Sequence, residues 1–462
     1  MTRVNTTSGR SLPPFEGSPD SVNSNVISGS PFVARLLLFC IFMLIIRQSM
    51  LGRIRPITDL DVVDAFAAVD IAAVCLAGFI LIFSGAFGRT WSSLRRTPAM
   101  WLAGYYVFCA VSCLWSAKPV FSLYRAFEYL ILLSATLAAV AQYRDFAGAE
   151  RAFCRIAMAA IILDIYATIW SYGLSSVVWH NTTYTISSAL LFCYCLGEYL
   201  AMTKAERFEA EKRSRRLLRF GIFAFCTLAL GRSSGSSIGA LVGCLLIFLA
   251  LRRFWLLLIG FWVALLIFLW GAGGEFLRDL LFPGKSLSNI ETGSGRTILW
   301  EFLWHKFLQR PFLGYGFGLV GIVSGGMASH SHNSLFTVLI GTGSVGVVLF
   351  AIFAVRLWWT TISKVWRRGP GTVGFAGALA AFFVNSLSSN VMADRWITSS
   401  VVFVWLLGLF LLHTRDHGST TGVSGRILHS KKLLFRATRL LRSCHCRCLL
   451  SGSGPQIPQI KR

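Results

Sequence analysis

The chain has 462 residues, of which 55% are hydrophobic and only 14% charged, with a mean hydropathy of +0.63. A soluble domain carries roughly 25% charged residues, so a wholly water-facing surface cannot be built from this supply, and the lipid bilayer must cover much of it. The formal charge of +24, from 44 Lys+Arg against 20 Asp+Glu, would suggest nucleic acid in a soluble protein; no recognisable binding module accompanies it, and cytoplasmic loops of membrane proteins accumulate Lys and Arg, so no nucleic-acid partner is expected.

Residues 1–31 are rich in Ser, Gly, Asn and Pro and read as a disordered tail. No cleavable signal peptide is evident, because the first apolar run begins only near Pro31. A membrane helix needs about 20 mostly apolar residues to cross a ~30 Å core. Runs of that kind follow at 32–49, 64–87, 99–115, 119–141, 152–172, 183–202, 217–231, 236–251, 253–271, 334–358, 371–391 and 396–413. The expected fold is therefore all-α: a polytopic membrane protein of about 12 transmembrane helices over residues 32–413, with a basic cytoplasmic tail at 414–462.

Charge in the connections sets the expected orientation. With the N-terminus placed in the cytoplasm, the inside segments hold Arg89, Arg95, Arg96, Arg144, Arg151, a block from Lys204 to Arg219, Arg252, Arg253, Lys364, Arg367, Arg368 and the tail. The short outside loops hold far less: Lys118, Arg232, and Arg395 beside Asp394, with Arg47, Arg53 and Arg55 near three aspartates. Both termini are expected inside and the long loop 272–333 outside. Within it, Gly293 to Gln309 reads as an amphipathic helix with an apolar stripe of Leu299, Phe302, Leu303 and Phe307, stopped by Pro311 and Gly314.

Three clusters then follow in order: Gly295-Arg296-x-x-x-Trp300-Glu301, Pro311-x-x-Gly314-Tyr315-Gly316-Phe317-Gly318, and His330-Ser331-His332-Asn333 at the mouth of the next apolar run. Together they resemble the O-antigen ligase family, which also holds polymerases of O-antigen and exopolysaccharide repeat units. The resemblance implies a metal-independent membrane glycosyltransferase without a cofactor, in the bacterial inner membrane. Its donor would be an oligosaccharide on undecaprenyl diphosphate and its acceptor a sugar hydroxyl of a glycan; polysaccharide-assembly proteins are further candidate partners.

Such chemistry needs a holder for the diphosphate and a base for the acceptor proton. Arginine suits the first task through its planar fork, and histidine suits the second through an unperturbed pKa of ~6.5. His332 matches the family's His-Asn position and is the candidate base; His330 could replace or orient it. Arg296 is the first candidate diphosphate ligand. Arg232, in Gly231-Arg232-Ser233, is the second, although the family pattern has a Ser-Arg pair there. Arg125 lies one turn from Glu128 inside an apolar run, as a substrate ligand or a self-neutralising pair. Asp70, Asp164 and Glu198 are intramembrane acids with no assigned role.

Other patterns are weaker. Gly341-Thr-Gly343-Ser-Val-Gly346 fits the dinucleotide-binding pattern, but it lies in an apolar run with no preceding strand, so helix packing is the better account. Nine cysteines fall in apolar runs and three in the tail, where Cys444-His-Cys446-Arg-Cys448 lacks the paired spacing of a zinc site. Within the enzyme reading, the Thr297–Trp304 stretch and the Tyr315-Gly-Phe317 turn favour a polymerase, with a ligase passing polymer to lipid A core as the alternative. A lipid-linked sugar transporter is the rival class, but the repeats it would need are not visible.

Overall fold

The computed structural model describes residues 31–50, 65–143, 145–174, 182–256, 296–328, 330–367, 371–392 and 397–413, with 177, 259 and 262 between them. Both tails, most of the run 253–271, the loop segment 272–295 and the short connections 51–64 and 393–396 lie outside the described residues, as do the expectations placed on them. The described structure is all α-helical apart from turns and one short 3-10 segment at Ser112–Leu114. Helices occupy every apolar run that falls among the described residues.

The first half holds α1 (Pro31–Met50), α2 (Ala65–Phe83), α3 (Ala86–Leu94), α4 (Ala99–Val111), α5 (Pro119–Ala141), α6 (Phe146–Tyr172) and α7 (Thr182–Ala201). The basic block forms α8 (Lys204–Glu209) and enters α9 (Glu211–Leu230), which leads to α10 (Ser234–Ala250). Beyond the loop come α11 (Arg296–Gln309), α12 (Val320–Val323), α13 (Ser334–Trp366), α14 (Thr372–Ser386) and α15 (Thr398–His413). By length and composition α5, α6 and α13 can each cross a membrane unaided, and α2 with α3 would make a fourth span, bent by 79° where Gly85 takes φ 64°. The apolar stretches of α1, α4, α10, α14 and α15 are shorter, at 10–17 residues. The protein is thus a multi-pass membrane protein.

Local chemistry explains the boundaries. Pro119 opens α5, the Asp145 carboxylate accepts the Gly148 N–H at the start of α6, and Thr203 with Glu206 forms a reciprocal capping box on α8. Hydrocarbon gives helices no hydrophobic drive to associate in lipid, so close packing must do it. Gly197 of α7 meets Gly374 of α14, and Gly243 of α10 meets Gly377: a Cβ on Gly197 would stand 2.7 Å from the Gly374 Cα, and one on Gly243 2.6 Å from the Gly377 carbonyl oxygen. Stacked rings join α14 to the buried α15, with centroids 4.0 Å apart for Phe375–Phe410 and 3.7 Å for Phe382–Phe403.

Glu198, which the sequence left without a role, is part of a buried ion network. It accepts the Gly371 and Gly374 N–H groups at 2.8 and 3.0 Å, where α14 begins, and pairs with Arg213 at 3.0 Å. Arg213 and Arg216 also clamp the fully buried Glu150, which accepts a further bond from the Tyr194 hydroxyl. These contacts anchor the polar half of α9 to α6, α7 and α14. Asp164 likewise accepts the Thr398 hydroxyl at 2.9 Å. All nine cysteines of the apolar runs are free thiols.

Candidate active site

The amphipathic helix α11 turns Leu299 and Leu303 into a small core with Val320 and Ile340, and Phe302 and Phe307 pack on its edge. That is the stripe its sequence predicts. Its Trp300 stacks on Phe336 at the start of α13, with centroids 5.8 Å apart, and donates its indole N–H to the Ser331 carbonyl at 2.8 Å. The position of Trp300 therefore has a mechanical meaning: it ties α11 to the histidine turn.

The second motif docks into a break in α13. Gly343 interrupts that helix at φ 63°, ψ −163°, a conformation open only to glycine. The break exposes backbone groups that must find partners, and the 311–316 turn supplies them. Tyr315 and Gly316 donate to the Ile340 and Gly341 carbonyls at 2.8 and 2.9 Å, while Ser344 and Val345 donate to Pro311 and Phe312 at 2.8 and 3.3 Å. The same turn rests on the first half of the bundle. Trp115 donates to the Leu313 carbonyl, the Phe317 N–H to the Ser112 hydroxyl, and Ser122 to the Phe317 carbonyl. The dinucleotide-like glycines are thus the seat of this turn.

The third motif forms the mouth of α13. The Asn333 side chain caps the helix by accepting the Leu335 and Phe336 N–H groups at 2.8 and 3.3 Å. Ser331 is buried and shares hydrogen bonds with Thr337 at 2.6 Å and with the Asn333 backbone; Thr337 donates to the Asn390 side chain at 2.6 Å. Held on both sides, His332 sits at φ 54°, a left-handed conformation unusual outside glycine, and its ring lies 4.1 Å from that of His330. Such over-determined strain collects at functional sites.

Arg296 and His332 are both half-buried and within electrostatic reach of each other. Burial, and then the Arg296 charge, hold the His332 imidazole below its usual pKa, so it is neutral and able to accept a proton. Burial also lowers Arg296, which starts so high that it stays charged. Arg296 donates to the Ser388 carbonyl at 2.9 Å. The last turn of α14 and the segment after it are the common support: Ser389 accepts from Ser334, Asn390 from Thr337, and Asn385 from Ser236, just past the Arg232 turn. A Cβ on Gly235 would stand 2.4 Å from the Ser388 Oγ. Arg232, exposed and at φ 45°, is brought to the same end of the bundle as Arg296 and His332.

Arg125 is placed differently. It pairs with the buried Glu128 at 2.6 Å, its methylenes pack under Gly318, and Asp70 is within electrostatic reach. It supports the 311–318 turn, and no hydrogen bond or ion pair joins it to Arg296 or His332. The sequence reading missed the run Asn385-Ser-Leu-Ser-Ser-Asn390; its signal was a dense polar string at the end of an otherwise apolar span. Among the described residues no cluster of three or more His, Cys, Asp or Glu could hold a metal ion.

Residues 220–351 match the family model described as O-antigen ligase, a stretch that contains Arg232, Arg296, His330 and His332. Similar proteins, provisionally named polysaccharide ligases, occur in three Rickettsia species. Those of Rickettsia conorii and Rickettsia prowazekii are each 22% identical over 142 residues, 28% of this chain and 34% of theirs. That of Rickettsia felis is 22% identical over 340 residues, 67% of this chain and 78% of its own. The chain thus spans about a third of the length of the first two relatives. Residues 220–351 are thus similar to the domain that the O-antigen ligase family model describes.

Proposed function

We propose that the chain is a glycosyltransferase that passes a glycan from undecaprenyl diphosphate to a sugar hydroxyl at the outer face of the inner membrane. The observation that carries this reading is the half-buried, neutral-leaning His332 beside the charged Arg296, at a helix mouth inside the O-antigen ligase domain. His332 takes the acceptor proton as the acceptor oxygen bonds to the anomeric carbon. The bond from that carbon to the diphosphate oxygen breaks, and the diphosphate leaves on the carrier lipid with its charge held by Arg296 and Arg232. His330 steadies the base, and Arg125 shapes the 311–318 turn beside it. The arginines offset the leaving-group charge, so no metal is required.

Between the two transfers, the ligase has the better support. The matching family model and the names of the relatives both point that way. The features that favoured a polymerase serve structure instead: Trp300 ties α11 to Ser331, and Tyr315 and Phe317 seat the turn on α13 and α5. The test is a purified chain given a lipid-linked donor with and without a core-lipid sugar acceptor. Glycan on the core lipid, formed equally in a strong chelator, is the expected outcome. Lengthened lipid-linked glycan with no core product would make it a polymerase, and activity restored only by Mg²⁺ or Mn²⁺ would overturn the metal-free mechanism.

A further inference from the structure

A guanidinium on a membrane helix is costly unless an anion or water meets it. Some arginines of the helical bundle meet this need with a buried carboxylate: Arg125 pairs with Glu128, and Arg213 and Arg216 with Glu150. Arg155, in the third turn of α6, does not. It has no ion pair or hydrogen bond among the described residues, and its charge acts on the Tyr143 hydroxyl. It lines a groove of about 240 Å³ whose other walls are hydrocarbon: Phe42 and Ile45 of α1, and Ile156, Ala159 and Ala160 of α6. Arg35 stands on the same stripe of α1 as Phe42, two turns nearer the start of that helix.

The groove is remote from the candidate active site. The Pro119 end of α5 lies beneath the 311–318 turn, whereas Tyr143, which Arg155 approaches, follows its other end. The 23 residues of α5, at ~1.5 Å each, put Tyr143 about 34 Å from that turn, and the groove opens on the Tyr143 side. We propose that this groove binds one anionic glycerophospholipid of the opposite leaflet, an acyl chain lying along Phe42 and Ala159 and the phosphate meeting Arg155 and Arg35. Apolar walls with a cationic rim match a lipid that is hydrocarbon at one end and anionic at the other. The volume is below the ~300–1,000 Å³ of most small-molecule pockets and suits a length of chain. The inference does not depend on the transferase reading.

Native mass spectrometry on the full chain, offered equal phosphatidylglycerol and phosphatidylcholine, tests it. Wild type should retain phosphatidylglycerol preferentially. Arg155→Gln should lower that retention about fivefold, Arg155→Lys should keep most of it, and Ala159→Trp should lower it by filling the groove with the charge intact. Equal retention of the two lipids by wild type, or wild-type retention by Arg155→Gln, overturns the proposal. Displacement of phosphatidylglycerol by an equal concentration of undecaprenyl phosphate also overturns it, by making the groove a carrier-lipid site. Should Arg155→Gln fail to accumulate, the wild-type headgroup comparison and Ala159→Trp decide the matter.

Discussion

His332 stands on a strained backbone with its proton affinity lowered by burial and the Arg296 charge, and only the residue type was visible in the sequence. The His-Asn order placed the candidate base correctly next to the helix mouth, because Asn333 is a helix cap and caps are local chemistry. Its supports were not legible: Ser331, Thr337 and Asn390 are separated by up to 59 residues, and nothing local marks a polar residue at a span end as a brace. If His332 is the base, His332→Ala should lower turnover by ~10²–10⁴ while donor binding changes little. Arg296→Lys should stay partly active, since it keeps the charge and loses the fork; Arg296→Ala should be severely impaired in binding and turnover. Wild-type product from His332→Ala and His330→Ala, singly and together, would remove histidine from the mechanism. The pH profile separates the roles further. Burial and the Arg296 charge both lower the His332 pKa, so the acid limb of the rate should lie below the ~6.5 of a free imidazole. Removing the charge in Arg296→Gln should move that limb upward, and Arg296→Lys should leave it in place; an unmoved limb in Arg296→Gln would show that the arginine does not act on this histidine.

At the scale of elements, hydropathy found the helices and missed their interruptions. A window of apolar residues reads Ser334–Trp366 as one continuous span, because a single glycine in left-handed or extended backbone barely changes its hydropathy. The break at Gly343 matters because it lets Pro311–Gly316 hydrogen-bond into the helix, joining the loop motif to the bundle. The expectation that Gly341–Gly346 serves packing was right in kind, with a backbone docking seat in place of a smooth helix contact. Gly343→Ala should therefore be costly twice over, by about 1–3 kcal/mol of backbone strain and by a Cβ only 2.3 Å from the Phe312 carbonyl oxygen. Gly325→Ala is the matched control, since it has a positive φ of 63° but open space around the added methyl group. Thermal unfolding of the purified variants should show a clearly larger loss for Gly343→Ala. Equal losses would mean that the 311–316 turn does not sit in the break.

The whole molecule separates two ends, and this separation makes orientation testable. At one end α14 begins beside Glu198, and Arg213 and Arg216 of the basic block lock onto Glu150. At the other, α14 runs out into Ser388, Ser389 and Asn390, which hold Arg296, Ser334 and Thr337. The 15 residues of α14, at ~1.5 Å each, place these ends about 22 Å apart. The basic block and the candidate site therefore lie at opposite ends of α14. The sequence leads to an expectation of orientation from charge alone, because the Lys+Arg bias is a property of connections and needs no tertiary contact. It could not supply the bend at Gly85 or the ion network that pins α9, both of which depend on distant partners. With the basic end in the cytoplasm, a reporter active only outside it should work when fused near Lys285 and fail when fused near Lys212 or Ser419. Surface labelling of a single cysteine placed at Met327, which is exposed near the histidine turn, should likewise succeed from the outside in intact inner-membrane vesicles of right-side-out orientation. An inactive reporter at Lys285 together with an active one at Lys212 would turn the bundle over. The histidine and arginines would then face the cytoplasm, and a transfer at the outer face could no longer be their task.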